Sequence, residues 1–208
     1  MKKFFIIIGI IILVIFIALF IWGVYCDNTI AITNYSVNNT KNDAKLKFVV
    51  ITDLHNKEYG EKNADLAGLV KEQNPDFIAV CGDMVNRGDP DTTKMKDVLK
   101  KLADIAPTYC CLGNHERDNA AEFGTDFKSE IDSTGAVLLD DEYIKFTKNG
   151  KSVLIGGMSD YPYYEFYTPE DDVPSRTLWE EFAEKAKNNF TILLHHQPEY
   201  IAEDAKKT

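Results

Sequence analysis

Cysteine, histidine and positive charge are all scarce in this chain, and each scarcity closes off a class of function. The four cysteines, Cys26, Cys81, Cys110 and Cys111, form no C-x-x-C pair, so the spacing of a zinc or dithiol redox site is missing. Three of them lie in apolar runs, as buried thiols do. No internal repeat and no low-complexity tract runs through the 208 residues. Lysine and arginine number 23 against 33 aspartates and glutamates, a formal net charge of −10. Binding to nucleic acid relies on clustered Lys and Arg that neutralise phosphates, so no general affinity for DNA or RNA is expected.

Charge is missing altogether from Phe4 to Tyr25, an apolar run of 22 residues. About 20 such residues span a bilayer core. No small-residue cleavage site follows, and the bulky Tyr25 before Cys26 does not suit lipoprotein processing, so residues 1–26 read as an uncleaved transmembrane anchor. Lys2 and Lys3 precede the run and Asp27 follows it. The positive-inside bias therefore places the N-terminus in the cytoplasm and the rest of a single-pass protein outside the cell membrane. Without those two lysines, residues 27–208 carry 21 basic and 33 acidic side chains, a charge of −12 that suits a cation-binding protein. Residues 27–44, rich in Asn and Thr, read as a linker, and residues 45–208 are enough for one domain with a substantial core.

Within that domain, short apolar runs alternate with amphipathic stretches. "LKFVVIT", "DFIAVC" and "TYCCL" read as strands; "NADLAGLVKEQN" and "TTKMKDVLKKLADI" read as the helices between them. Apolar strands separated by helices imply a parallel sheet covered on both faces. Further along, "AEFGTDFKSEIDSTG" reads as a helix, and "AVLLDDEYIKFTKNGKSVLIGGM" holds two or three strands around Asn149-Gly150, a hairpin turn signal. An aromatic loop spans Tyr161 to Tyr167, "RTLWEEFAEKAKNN" reads as a helix, and "FTILL" as a last strand.

All four histidines come directly after a predicted strand. His55 follows "FVVIT", His115 follows "TYCCLGN", and His195 and His196 follow "TILL". Ligands of open α/β sheets bind beyond the carboxyl ends of the strands, so these distant histidines can converge. Asp53, Asp83 and Asn114 occupy the same kind of position. Carboxylate, amide and imidazole together suit divalent Mn, Fe, Zn or Co rather than calcium, and so many donors can hold two ions with one carboxylate between them.

The blocks "ITDLHN", "CGDMVNRG", "CLGNHE" and "LLHHQPE", in this order, resemble those of the calcineurin-like metallophosphoesterases, with spacing most similar to the membrane-anchored bacterial branch. The resemblance implies a four-layer α/β/β/α sandwich that hydrolyses a phosphoester with hydroxide generated at a dinuclear metal centre. It makes Asp53 and His55 ligands of one ion, Asp83 the bridge, and Asn114 and His196 ligands of the other, with His195 a spacer. His115 is then no ligand but lies beside the scissile phosphate, stabilising charge or protonating the leaving oxygen. Arg87 is similar to an arginine that grips phosphate in the Ser/Thr phosphatase branch, but Asn86 replaces the acidic neighbour found there, and substrate contact is not expected. The family closes its site with a G-H-x-H block. No histidine follows His196, so the sandwich is expected to be C-terminally incomplete and each ion to lack one ligand; a non-catalytic tethered module is the alternative. A phosphoester is the expected substrate, and the extracytoplasmic location adds lipid-linked and cell-wall phosphates to the substrates to consider.

Overall fold

The charge-free N-terminal run forms a single helix, α1 (Lys2–Asp27), in which no side chain is buried. Its 26 residues extend about 39 Å at 1.5 Å per residue, more than the roughly 30 Å of a hydrocarbon core. It ends where Asn28 Nδ2 donates to the Val24 carbonyl and Thr29 Oγ1 to that of Tyr25, giving the last carbonyls partners. The computed structural model describes residues 2–38, 45–158 and 181–197. The chain divides into two units, Met1–Ser36 with α1 and Val37–Thr208 with everything that follows.

Among the described residues of the second unit, the apolar runs form two sheets. Strands β1 (Phe48–Ile51), β2 (Phe77–Cys81), β3 (Thr108–Cys111) and β4 (Val137–Leu138) lie in that spatial order, all parallel. Helix α2 (Ala64–Glu72) connects the first two and α3 (Thr93–Ala103) the next two. Side chains alternate across a strand, so Phe77, Ala79 and Cys111 face one way and Ile78, Val80 and Cys110 the other. The second set lies under helix: α3 packs on β3 and α2 on α3, burying Met95, Val98, Leu99 and Leu102.

The first set meets another sheet, built from β5 (Glu142–Lys148), β6 (Lys151–Gly157) and β7 (Thr191–Leu194). β5 and β6 form the expected hairpin, with Asn149 at φ 52° and Gly150 at φ 75°, the left-handed pair that suits a right-handed twist. β7 adds parallel to β6. Phe77, Ala79, Cys111, Leu139, Val153, Ile155 and Leu194 form the core between the sheets. On the outer face of the second sheet, residues 181–186 are helical and Phe182 rests on Gly156. The described layers are therefore helix, sheet, sheet and helix, a mixed α/β sandwich with a parallel sheet.

One helix begins earlier than the sequence pattern indicates. The stretch read as a helix over 121–135 is two: α4 (Asn114–Phe123) starts right after β3, and α5 (Phe127–Asp132) follows a break at Gly124, φ 70°. The early start comes from Glu116, at the third helical position, which accepts the N–H of Gly113 ahead of the first turn. The aromatic loop and residues 176–180 of the last expected helix lie outside the described residues.

Asp53 and Asp83 each stand two residues beyond a strand, β1 and β2, while His115 sits one residue into α4 and His196 two residues beyond β7. These ends share one side of the sandwich, and the core beneath them fixes their spacing. Replacing Ile155, fully buried between the sheets, with Ala should cost about 2–5 kcal/mol in urea denaturation, the range for a truncated core aliphatic.

Candidate metal centre

The loops after β1 and β2 are strained and hold each other in place. Asp53, His55 and Asn56 have φ of 56°, 47° and 56°, and Asp83 has φ of 51°, all left-handed. Such conformations cost non-glycine residues of order 1 kcal/mol or more each and persist only where the surroundings impose them. Here the two backbones pair: the N–H of Asp53 donates to Gly82 O at 3.1 Å, that of His55 to Asp83 O at 3.0 Å, and that of Asn56 to Met84 O at 2.9 Å. The turn after β3 presses against the same segment. A Cβ on Gly113 would lie 2.3 Å from Asp83 Oδ1, and one on Gly82 2.4 Å from Gly113 N, so glycine is needed at both.

Glu116, buried to 1% exposure, ties these turns together. Its Oε2 accepts the N–H groups of Asp83 at 2.8 Å and Gly113 at 2.9 Å; its Oε1 accepts those of Met84 at 2.7 Å and Val85 at 3.1 Å. Sequence reasoning placed Asn114 and His115 in the site and passed over Glu116, although "GNHE" contains it. With α4 started at Asn114, a Glu at the third helical position is the signal that identifies it.

Asp83 lies at the focus. Its Oδ1 accepts the backbone N–H of His115 at 2.9 Å. Its Oδ2 faces three imidazoles, with Nε2 of His196 at 3.4 Å, of His115 at 3.6 Å and of His55 at 3.9 Å. Nε2 of His55 also lies 3.4 Å from Asp53 Oδ1, and the His55 and His115 rings are 4.6 Å apart. Among the described residues, two sets of donor atoms are close enough to grip an ion, His55 with Asp83 and His115, and Asp53 with Asp83 and His196. Asp83 belongs to both. A buried carboxylate oxygen opposite several nitrogens, at distances slightly too long for hydrogen bonds, fits divalent cations between them.

In both inner histidines the backbone engages Nδ1, but with different partners. Nδ1 of His196 lies 2.9 Å from Cys81 O, an acceptor, so the ring carries its proton there and turns the Nε2 lone pair toward Asp83. That tautomer is the one a metal ligand needs. Nδ1 of His115 lies 3.1 Å from the N–H of Arg87 and 3.2 Å from Val85 O. Either tautomer satisfies one of these two neighbours, and Nε2 faces Asp83 in both.

Asn114 opens α4, half-buried, directly before His115. His195 stands apart from the donor sets, its Nδ1 accepting the N–H of Gln197 at 3.1 Å. Arg87 pairs through Nε with Asp118 at 2.7 Å, its side chain 60% exposed. Beneath the centre, a hydrogen bond with Cys111 holds the Cys81 thiol below its ordinary range, burial opposing and His196 assisting, whereas burial pushes the Cys110 thiol far up.

The family model for calcineurin-like phosphoesterases matches residues 46–207. Phosphodiesterase YaeI of Escherichia coli strain K12 is 32% identical over 119 residues, covering 55% of this chain and 44% of that protein. The uncharacterized metallophosphoesterase YkoQ of Bacillus subtilis strain 168 is 24% identical over 159 residues, covering 76% and 55%. A third relative, the uncharacterized metallophosphoesterase Cj0846 of Campylobacter jejuni, is 36% identical over 85 residues, covering 38% and 21%. The chain thus spans about half the length of the first two.

Replacing Glu116 with Gln would set an amide NH₂ against two of the four backbone donors. Losing two hydrogen bonds to a charged group, at roughly 1.5 kcal/mol or more each, should lower stability by at least about 3 kcal/mol in chemical denaturation.

Proposed function

The chain belongs to the calcineurin-like phosphoesterase family, and from that premise we propose that it is a phosphoester hydrolase that uses two divalent ions and is held at a membrane by α1. The observation that carries this reading is Asp83, one carboxylate shared by two sets of donor atoms. In this reading Asp83 would be shared by the two ions, with Asp53 and His55 holding one and Asn114 and His196 the other. Asp53 lies close both to His55 and to the set with His196, so it borders both positions. Ions held there would supply hydroxide near neutral pH by lowering the pKa of water, and would neutralise phosphoryl oxygens.

The protein's own groups do the rest. The paired loops fix the ligand oxygens before substrate arrives, so little reorganisation accompanies reaction. His115, whose Nε2 faces Asp83 Oδ2, would stabilise charge at the phosphoryl group or protonate the leaving oxygen. His196, oriented by Cys81 O, keeps its lone pair inward. Arg87, engaged by Asp118, takes no part in gripping phosphate. The substrate class is a phosphoester, and the name of the E. coli relative puts diesters first among those to assay. Residues 1–26 as anchor, 27–44 as linker and 45–208 as the catalytic domain on the extracytoplasmic side complete the proposal; lipid-linked and cell-wall phosphates are substrates that this location would offer.

The test uses the full chain in detergent micelles. Metal content by mass spectrometry should approach two ions, with manganese-stimulated turnover of bis(p-nitrophenyl) phosphate or p-nitrophenyl phosphate. Asp83→Asn should lower turnover by more than about 100-fold, the upper end of what substitutions outside the coordination sphere cost, and reduce the metal content. Folded protein with neither metal nor turnover would overturn the proposal. His115→Ala should retain the metal while losing about 10²-fold in kcat, as expected for one removed donor.

A further inference from the structure

Each member of the donor set His55, Asp83 and His115 can be traced to one helix, α4. His115 lies in its first turn, and Glu116 fixes the Asp83 segment to it. The connection to His55 is longer and runs through side chains outside the donor sets. Asn119, one turn beyond His115 and exposed by only 1%, accepts the N–H of Gly88 on Oδ1 at 2.8 Å, and its Nδ2 donates to Asn86 O at 2.8 Å and Asp89 O at 2.9 Å. The turn of residues 86–89 is thereby closed around this amide. Asp89 then reaches back to the loop after β1. Its Oδ2 accepts from Asn56 Nδ2 at 2.9 Å, and its Oδ1 accepts the N–H of Asp91 at 3.1 Å. Asn56 directly follows His55.

The partners leave no doubt about how the Asn56 amide is turned. A carboxylate accepts and does not donate, so the NH₂ end faces Asp89, and Asn56 Oδ1 is left buried with no hydrogen-bond partner. An unpaired buried acceptor costs free energy, so the side chain keeps its place through the bond at its other end. His55 and Asn56 are both left-handed, a conformation that only the surroundings can impose. The carbonyls of Asp83 and Met84 hold one side of this stretch, and Asp89 holds the other. A further tie, from Lys94 Nζ to Asn56 O, is longer at 3.3 Å and comes from an exposed side chain.

We infer that Asp89 is a positioning residue: by holding the Asn56 amide it ties the His55 loop to α4, so that one helix sets the spacing of all three donors. This rests on the reading of His55 as a metal ligand. Asp89 lies six residues beyond Asp83 and belongs to neither donor set, so it can be changed without removing a ligand.

The test uses the full chain in detergent micelles. In metal-free protein, hydrogen exchange followed by NMR should show the N–H groups of His55 and Asn56 exchanging about 10-fold faster in Asp89→Ala than in the wild type, as the loss of one hydrogen bond to a charged group implies. The N–H groups of Met84 and Val85, held by Glu116, should keep their rates. Manganese affinity by isothermal titration should fall about 10-fold, the lower end of what outer partners of metal ligands contribute. Asn56→Ala should act in the same direction on both readouts, and the two substitutions together should cost less than their combined separate effects, because they remove one shared bond. In a His55→Ala background, Asp89→Ala should lower manganese affinity no further, whereas a general structural role would remain additive. If Asp89→Ala does not fold, Asn56→Ala, which spares the Asp91 N–H, replaces it with the same expected result. Unchanged exchange at His55, unchanged manganese affinity, or full additivity with His55→Ala would each overturn the inference. A wild type that binds no manganese would instead sink the metal reading itself, and the exchange rates alone would then decide whether Asp89 holds the loop.

Discussion

One buried carboxylate supports the arrangement of this centre. Glu116 satisfies four backbone N–H groups that would otherwise be unpaired in a turn without regular structure. An ionised group so far from water is tolerated only with such compensation, and an amide left unpaired there would cost comparable free energy. The bonds join the turn after β2 to the first turn of α4. Asp83 can hold a left-handed conformation because of that junction, and the loop with Asp53 and His55 pairs with Asp83 in turn. Removing the carboxylate would therefore release strain stored in two loops at once.

The gathering of Asp53, His55, Asp83, His115 and His196 at one side of the sandwich was legible from the sequence because strands announce themselves. β-branched and apolar runs such as "FVVI" and "FIAVC" locate the sheet, and the sheet tells where a following Asp or His must stand. The Asn149-Gly150 turn and the hairpin around it were legible for the same reason, since few residues accept two consecutive positive φ angles. The preference for His196 over His195 comes from the family resemblance of "LLHHQPE".

Other parts of the site were not legible, and the reason is physical. The start of α4 depends on Glu116 reaching back to Gly113, a contact that follows from the packed position of β3 and not from local propensity. Asn119 reads in sequence as an ordinary polar helix residue; only the fold places the 86–89 turn against it. The closeness of Asp53 to His196 joins residues far apart in the chain through two sheets that meet at their ends. Nor does the letter His say which nitrogen holds the proton. For His196 the choice falls to the Cys81 carbonyl beside Nδ1, a backbone group that only the fold places there.

The pairing of residues 53–56 with 82–84 also bears on how an ion would enter. Those main-chain torsions are already fixed by folding, so ion capture would restrict little beyond side-chain rotation and the ion's own hydration shell. Affinity would then be governed by the exchange of water for carboxylate and imidazole, and release by rehydration in place of loop opening. A centre of this kind would act as a rigid receptor, its occupancy following the free ion concentration.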